Sequence, residues 1–277
     1  MEAETLGTTR IGAAYRASCL AELDALKPGN VHAYAAGHRM AVADFVTSAE
    51  VSTPHLARAG ARVGERIRGG MAATLAAVGQ NTNLGILLLC APIARAAEAG
   101  GDLETALAQV LDTLDGADAA DVYAAIRQAN PGGLGTAARH DVTATGPVPA
   151  LRDAMAEAAA RDAIARAYGT GFSDVFTIGL PALAAARAGG LSEPWTTTAV
   201  FLAYLGRVPD SHVARKHGHA RAEALREEAA ALLDLDLGAR PVELLLARDA
   251  AWKADGLNPG TSADFTVATL FLDRLLG

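Results

Sequence analysis

The chain has 277 residues, 51% of them hydrophobic, and a formal net charge of −7. That is enough apolar material for a large core and the wrong sign for a nucleic-acid-binding surface as its main function. Aromatics make up only 5%, so Ala, Leu, Val and Ile must build the core, and side chains this small let helices pack closely. The two cysteines, Cys19 and Cys90, have no metal or redox spacing and read as small buried hydrophobes of a chain kept in a reducing cytoplasm. The first residues carry acids and no apolar signal-like run. The longest apolar run, Leu84 to Ala94, contains Pro92 and falls far short of the ~20 residues of a membrane span, so a soluble, cytoplasmic protein without membrane or nucleic-acid partners is expected.

Apolar residues recur at helical spacing, and no stretch alternates long enough to read as a strand. In chain order the pattern predicts helices at about 8–26, 40–60, 63–78, 82–99, 102–113, 116–129, 150–168, 173–188, 194–206, 219–233, 240–254 and 259–276. Pro54 is expected to kink or split the second of these. Asn81, Asp115, Ser192 and Asn258 are suited to cap helix starts, and Gly29, Gly79, Gly100-Gly101 and Gly169 to mark stops. Asp162, with Arg166 four residues on, reads as half of a surface pair. Asn130 to Pro149 is the longest expected loop and contains Arg139-His140-Asp141. No repeat or linker divides the chain, which predicts one all-α domain over residues 1–277, a compact bundle of about twelve helices. The apolar helix from residue 84 fits either the centre of that bundle or a homodimer interface, and pattern alone leaves both open.

Four polar islands interrupt this Ala/Leu background, each where a helix should start or stop. Lys27-Pro28-Gly29-Asn30-Val31-His32 sets a cation and an imidazole on a tight turn, whose exposed N–H groups and lysine could cradle a phosphate. In Asn81-Thr82-Asn83-Leu84-Gly85, Asn81 is a natural cap. Asn83 lies in a helix that must be largely buried, so its amide needs partners. In Pro209-Asp210-Ser211-His212 and Arg215-Lys216-His217-Gly218, His212 and Lys216 would lie one turn apart if the segment is helical, facing one anionic ligand. In Asn258-Pro259-Gly260-Thr261-Ser262-Ala263-Asp264, Asn258 caps and Pro259 takes the first helical position. Asp264 falls on the apolar stripe continued by Ala268, Phe271 and Leu275, where a carboxylate needs a cation, a metal or a proton.

In this order the islands resemble the triphosphoribosyl-dephospho-CoA synthase family, from about residue 12 to 275. Its pattern of KPGNV, an NTH-G segment and a C-terminal NPG-[TS]-AD helix corresponds to Lys27 to Val31, Asn81 to Gly85, and Asn258 to Asp264. Members that make the citrate lyase precursor carry His and Lys where this chain has Asn83 and Leu84. The segment from Pro209 to Gly218 is similar to a branch found in methanogens and methylotrophic bacteria, with a role in methanopterin or methylofuran biosynthesis.

The resemblance implies an enzyme that takes ATP as donor substrate, with Mg²⁺, and displaces adenine from the ribose by an alcohol of the acceptor. Such a step calls for phosphate clamps, a base for the attacking hydroxyl and a carboxylate beside an oxocarbenium-like centre. Lys27, Arg215 and Lys216 are the candidate clamps, with Gly29, Asn30, Asn81, Asn83, His217, Asn258 and Thr261 as further substrate contacts. Asp264, Asp210 or Asp141 could supply the carboxylate, and Asp264 or Asp210 could hold Mg²⁺. His32 and His212 are the candidate acid–base groups. Two alternatives compete with this reading: another transfer or ligation in one-carbon cofactor biosynthesis, and a non-catalytic helical protein that binds a nucleotide.

Overall fold

The computed structural model describes residues 7–34, 41–130 and 149–277, and Asp141 lies outside them. Among the described residues there is no strand, as the periodicity predicted, and there are fourteen α-helices where about twelve were expected. They group into two compact units. One comprises Met1–Ala17, Val46–Phe172 and Phe271–Gly277; the other comprises Ser18–Phe45 and Ser173–Leu270.

In the first unit lie α3 (Val63–Val78), α4 (Leu84–Ala99), α5 (Leu103–Asp112), α6 (Gly116–Ala129), α7 (Leu151–Ala158), α8 (Ala163–Thr170) and most of α2 (Val42–Leu56). Helix α4 is its centre. Leu87, Leu89, Cys90, Ala91, Ile93 and Ala94 are all fully buried, so the most apolar helix is core to its own unit. Pro92 lies inside α4 and has no N–H for the carbonyl of Leu88 four residues earlier. The hydroxyl of buried Tyr168 donates to that carbonyl at 2.7 Å, so the helix runs on without an orphaned buried acceptor. Close helix approach depends on glycine here: a Cβ on Gly64 of α3 would lie 2.7 Å from the Asp118 carbonyl oxygen of α6. Helix α2 stays continuous through Pro54, which falls near its end. Where one helix was expected over 150–168 there are two. Asp162 accepts from the N–H groups of Ile164 and Ala165, and so caps α8. Gly169 lies within α8, whose left-handed stop is Gly171 at φ 64°.

The second unit holds the end of α1 (Thr8–Asp24), α9 (Leu180–Ala188), α10 (Glu193–Leu205), α11 (Ser211–His217), α12 (His219–Ala230), α13 (Val242–Ala254) and the start of α14 (Gly260–Leu276). Its core gathers Leu26, Trp195, Phe201, Leu205, Val213, Leu225, Leu245 and Trp252. The Trp252 indole N–H donates to Glu228 at 2.7 Å, satisfying the one polar atom of that buried ring. A π-helical turn, Val175–Gly179, leads into α9. Gly179 fits there because a Cβ would lie 2.2 Å from both the Tyr204 and Thr269 hydroxyls. No single helix among the described residues is long and apolar enough to cross a membrane.

Candidate active site

The first island is a turn closed by the Asn30 N–H donating to the Lys27 carbonyl at 3.0 Å. Gly29 takes φ 82°, a conformation that costs glycine little and other residues much. A Cβ there would meet Pro259 Cδ at 3.0 Å and Trp252 Cβ at 3.5 Å, so the turn is seated directly on the α13–α14 connection. Beside this contact, Asn30 Nδ2 donates to Asn258 Oδ1 at 2.8 Å. The first and last islands therefore meet side chain to side chain. Asn258 was expected to cap a helix and to contact substrate; its amide oxygen reaches back to the first turn, and α14 begins at Gly260 rather than Pro259.

Lys27 is fully buried. Its ammonium lies 2.6 Å from Glu22 Oε1 and donates to Asn30 Oδ1 at 3.0 Å and to the Val31 carbonyl. An ammonium has three donors, and these three acceptors use them all. The geometry thus turns Lys27 inward as a strut of the turn, away from the phosphate-clamp role expected of it. Burial pushes the Lys27 ammonium down and the Glu22 carboxyl up from their ordinary pKa values, each opposed by the other's charge.

His32 ends the same turn, also fully buried. Its Nε2 lies 3.3 Å from Asp249 Oδ1. That distance couples the charges, but the alignment is not that of a hydrogen bond, and among the described residues neither ring nitrogen has a hydrogen-bond partner. Burial lowers the His32 pKa against the pull of Asp249, which leaves the imidazole neutral at neutral pH. Asp249 accepts from the Gly29 N–H at 2.9 Å and from Lys253 Nζ at 2.9 Å. Burial works to raise its carboxyl, but His32, Lys253 and the Gly29 amide outweigh it and hold the group below the ordinary aspartate range.

The third island joins the same connection. Asp210 caps α11: its Oδ1 accepts from the N–H groups of His212 at 2.9 Å and Val213 at 3.1 Å. Its Oδ2 accepts from Ser262 N–H at 2.8 Å and Ser262 Oγ at 2.9 Å. Burial pushes this carboxyl up, opposed by those donors and the charge of Arg215. The His212 N–H also donates to Thr261 Oγ1 at 3.1 Å, and a Cβ on Gly260 would lie 2.9 Å from His212 Nδ1. Residues 211–217 are helical, which sets His212 and Lys216 one turn apart as foreseen. Lys216 and His217 are exposed, and both reach the Gly256 carbonyl, at 3.5 and 3.1 Å. Asp264 is half-buried, one turn before the buried Ala268 and Phe271. The strip from Gly256 to Ser262 thus touches Lys216, His217, Asn30, Gly29, His212 and Asp210 in turn.

The second island belongs to the other unit. Asn81 Oδ1 accepts the Leu84 N–H at 3.1 Å, but α4 begins at Leu84, so Asn83 rather than Asn81 stands at its N-cap position and lies just before the helix instead of within it. Thr82 Oγ1 lies 2.6 Å from Ser48 Oγ. Asn83 donates to Ser52 Oγ at 3.3 Å, while its own Oδ1 is buried with no hydrogen-bond partner.

Sequence reasoning missed Glu22, Asp249 and Ser262. Asp249 with Lys253 has the i, i+4 spacing of an ordinary surface pair, and Glu22 sits in an otherwise unremarked helix end. No sequence signal marks them, because the burial of Lys27, whose charge required an acid nearby, is visible only in the tertiary structure. Among the described residues no three or more His, Cys, Asp or Glu side chains converge as for a metal ion, and all of Asp210's acceptor capacity toward its neighbours is used. These residues do not fit a self-contained Mg²⁺ site.

Fold and site define an all-helical protein with a buried acid–base cluster built on one helix junction. A family model described as ATP:dephospho-CoA triphosphoribosyl transferase matches residues 8–277, and the chain belongs to that family. A 2-(5''-triphosphoribosyl)-3'-dephosphocoenzyme-A synthase from Klebsiella pneumoniae is 34% identical over 109 residues, which is 39% of this chain and 39% of that protein, so the match spans well under half of that relative. The fold is similar to a solved structure, "Crystal structure of putative triphosphoribosyl-dephospho-coA synthase from Archaeoglobus fulgidus", with TM-score 0.63 and 24% identity, covering 81% of this chain and 95% of that one.

Proposed function

We propose that the protein transfers the triphosphoribosyl group of ATP to an alcohol of dephospho-CoA in the cytoplasm, releasing adenine. The observation that carries this is the Asn30–Asn258 contact: the two polar turns by which the chain resembles its family form one buried cluster. In the reaction the acceptor oxygen bonds to the ribose C1′ and the C1′–N9 bond breaks, its electron pair leaving with adenine. The proton lost by the hydroxyl balances the one adenine gains.

Within this reading His32, neutral and unbonded, takes the hydroxyl proton. Asp264 offers a carboxylate to the developing positive charge at C1′, and Arg215 and Lys216 supply the positive charge that meets phosphate. Lys27 and Asp210 are supports: the first shapes the turn, the second ties α11 to α14. Asn83 and Leu84 favour a second reading, in which the acceptor is a pterin or furan precursor on the same scaffold.

Purified protein incubated with ATP, Mg²⁺ and dephospho-CoA should release free adenine and give a product heavier by the triphosphoribosyl group. Adenine released only with a pterin or furan acceptor would replace the first reading by the second. No adenine with any of them, alongside a thermal shift with ATP, would leave a nucleotide-binding protein.

A further inference from the structure

We infer that Asp249 is a positioning residue that fixes His32 with its proton on Nε2 and its bare lone pair on Nδ1, ready to accept the proton of the attacking hydroxyl. The inference rests on the proposed reaction only for the identity of the proton donor.

An ionised carboxylate is an acceptor only. With Asp249 Oδ1 at 3.3 Å from Nε2, a lone pair at Nε2 would be repelled and an N–H attracted, so the proton belongs there. Asp249 is held in place from two sides, by the Gly29 amide and Lys253, each at 2.9 Å. Nδ1 then carries the lone pair, and among the described residues no donor satisfies it although the ring is fully buried. A buried acceptor of this kind is costly, and substrate is the partner that would relieve it. The half-exposed Tyr34 ring lies 6.0 Å from the imidazole, centre to centre, so His32 is one aromatic side chain from solvent.

The same constellation keeps the ring a base. Lys253 and Lys27 disfavour a cation at His32, Asp249 favours one, and burial disfavours it most. Glu22 offsets the Lys27 charge. A carboxylate facing one ring nitrogen biases which of the two carries the proton.

The test uses the full chain labelled with 15N-histidine, its His32 signal assigned by loss in His32→Gln. A pyrrole-type Nε2 and a pyridine-type Nδ1 are expected, with the tautomers mixed in Asp249→Asn. In turnover, His32→Gln should fall by roughly 10²-fold or more, and the acid limb of its kcat/KM profile should vanish. Asp249→Asn should lower kcat while leaving KM within a few-fold, and Asp249→Glu should restore part of it. A wild-type proton on Nδ1, or an Asp249→Asn protein with unchanged tautomer and kcat, overturns the inference. Should the wild type release no adenine with any acceptor, the proposed reaction fails, while the tautomer spectrum still decides how Asp249 holds His32.

Discussion

Replacing Lys27 with methionine separates a strut from a phosphate clamp. In the structure the ammonium faces Glu22 at 2.6 Å, Asn30 Oδ1 at 3.0 Å and the Val31 carbonyl, all in a buried cluster. Methionine keeps the volume but leaves Glu22 a buried charge without its cation, a loss of about 3–5 kcal/mol. At roughly 2 °C per kcal/mol for a chain of this size, the melting temperature should fall by about 6–10 °C. Adding Glu22→Leu removes the stranded charge, and an apolar pair in place of an ion pair is often near neutral. The Asn30 and Val31 oxygens would still lack a donor, at about 1 kcal/mol each or somewhat more. The double variant should therefore recover about half of the loss. Urea denaturation of the four proteins, read by circular dichroism, supplies the cycle. If Lys27→Met unfolds within about 0.5 kcal/mol of the parent while its thermal shift with ATP disappears, the lysine faces substrate and the strut assignment is wrong.

Other outcomes follow from the same geometry. Gly29→Ala places a methyl 3.0 Å from Pro259 at φ 82° and should cost about 1–3 kcal/mol, visible as a lower urea midpoint; an unchanged midpoint would mean the turn does not press on the α13–α14 connection. Asp210→Asn breaks a four-donor carboxylate and should destabilise by about 2–3 kcal/mol, whereas Asp264→Asn should lose turnover. Full turnover in Asp264→Asn removes that residue from the chemistry. The folded pKa of His32 is depressed below its ordinary 6.5; its stabilising contribution is therefore complete above pH 6.5 and lost as pH falls through the folded value. Between those limits His32→Gln should flatten the stability curve, and a curve that keeps its slope would mean His32 titrates as if exposed. Asp249, held below its ordinary 3.8, adds a separate loss at more acid pH, as its carboxylate protonates.

Much of the fold was legible because its signals are local. Asp115 caps α6 through the Ala117 and Asp118 N–H groups, and Gly79 ends α3 at φ 75°, both where the sequence placed them. Asp162 shows the limit of such reading: its side chain caps α8 through the Ile164 and Ala165 N–H groups, a helix start that the continuous pattern over 150–168 did not mark. The same holds for Asp249 and Lys253, an ordinary helical pair by spacing that proves to hold the Gly29 turn and face His32.

The sequence by itself determined most of the helices and the four polar islands, because proline, glycine and capping side chains act on backbone within a few residues of themselves. It could not determine which way a polar side chain faces. That depends on burial and on partners far along the chain: Asn258 lies 228 residues from Asn30, and Asp249 lies 220 from Gly29. Tertiary structure alone turned Lys27 inward to Glu22 and left His32 Nδ1 without a donor, since a buried charge must find its counter-charge wherever packing brings one.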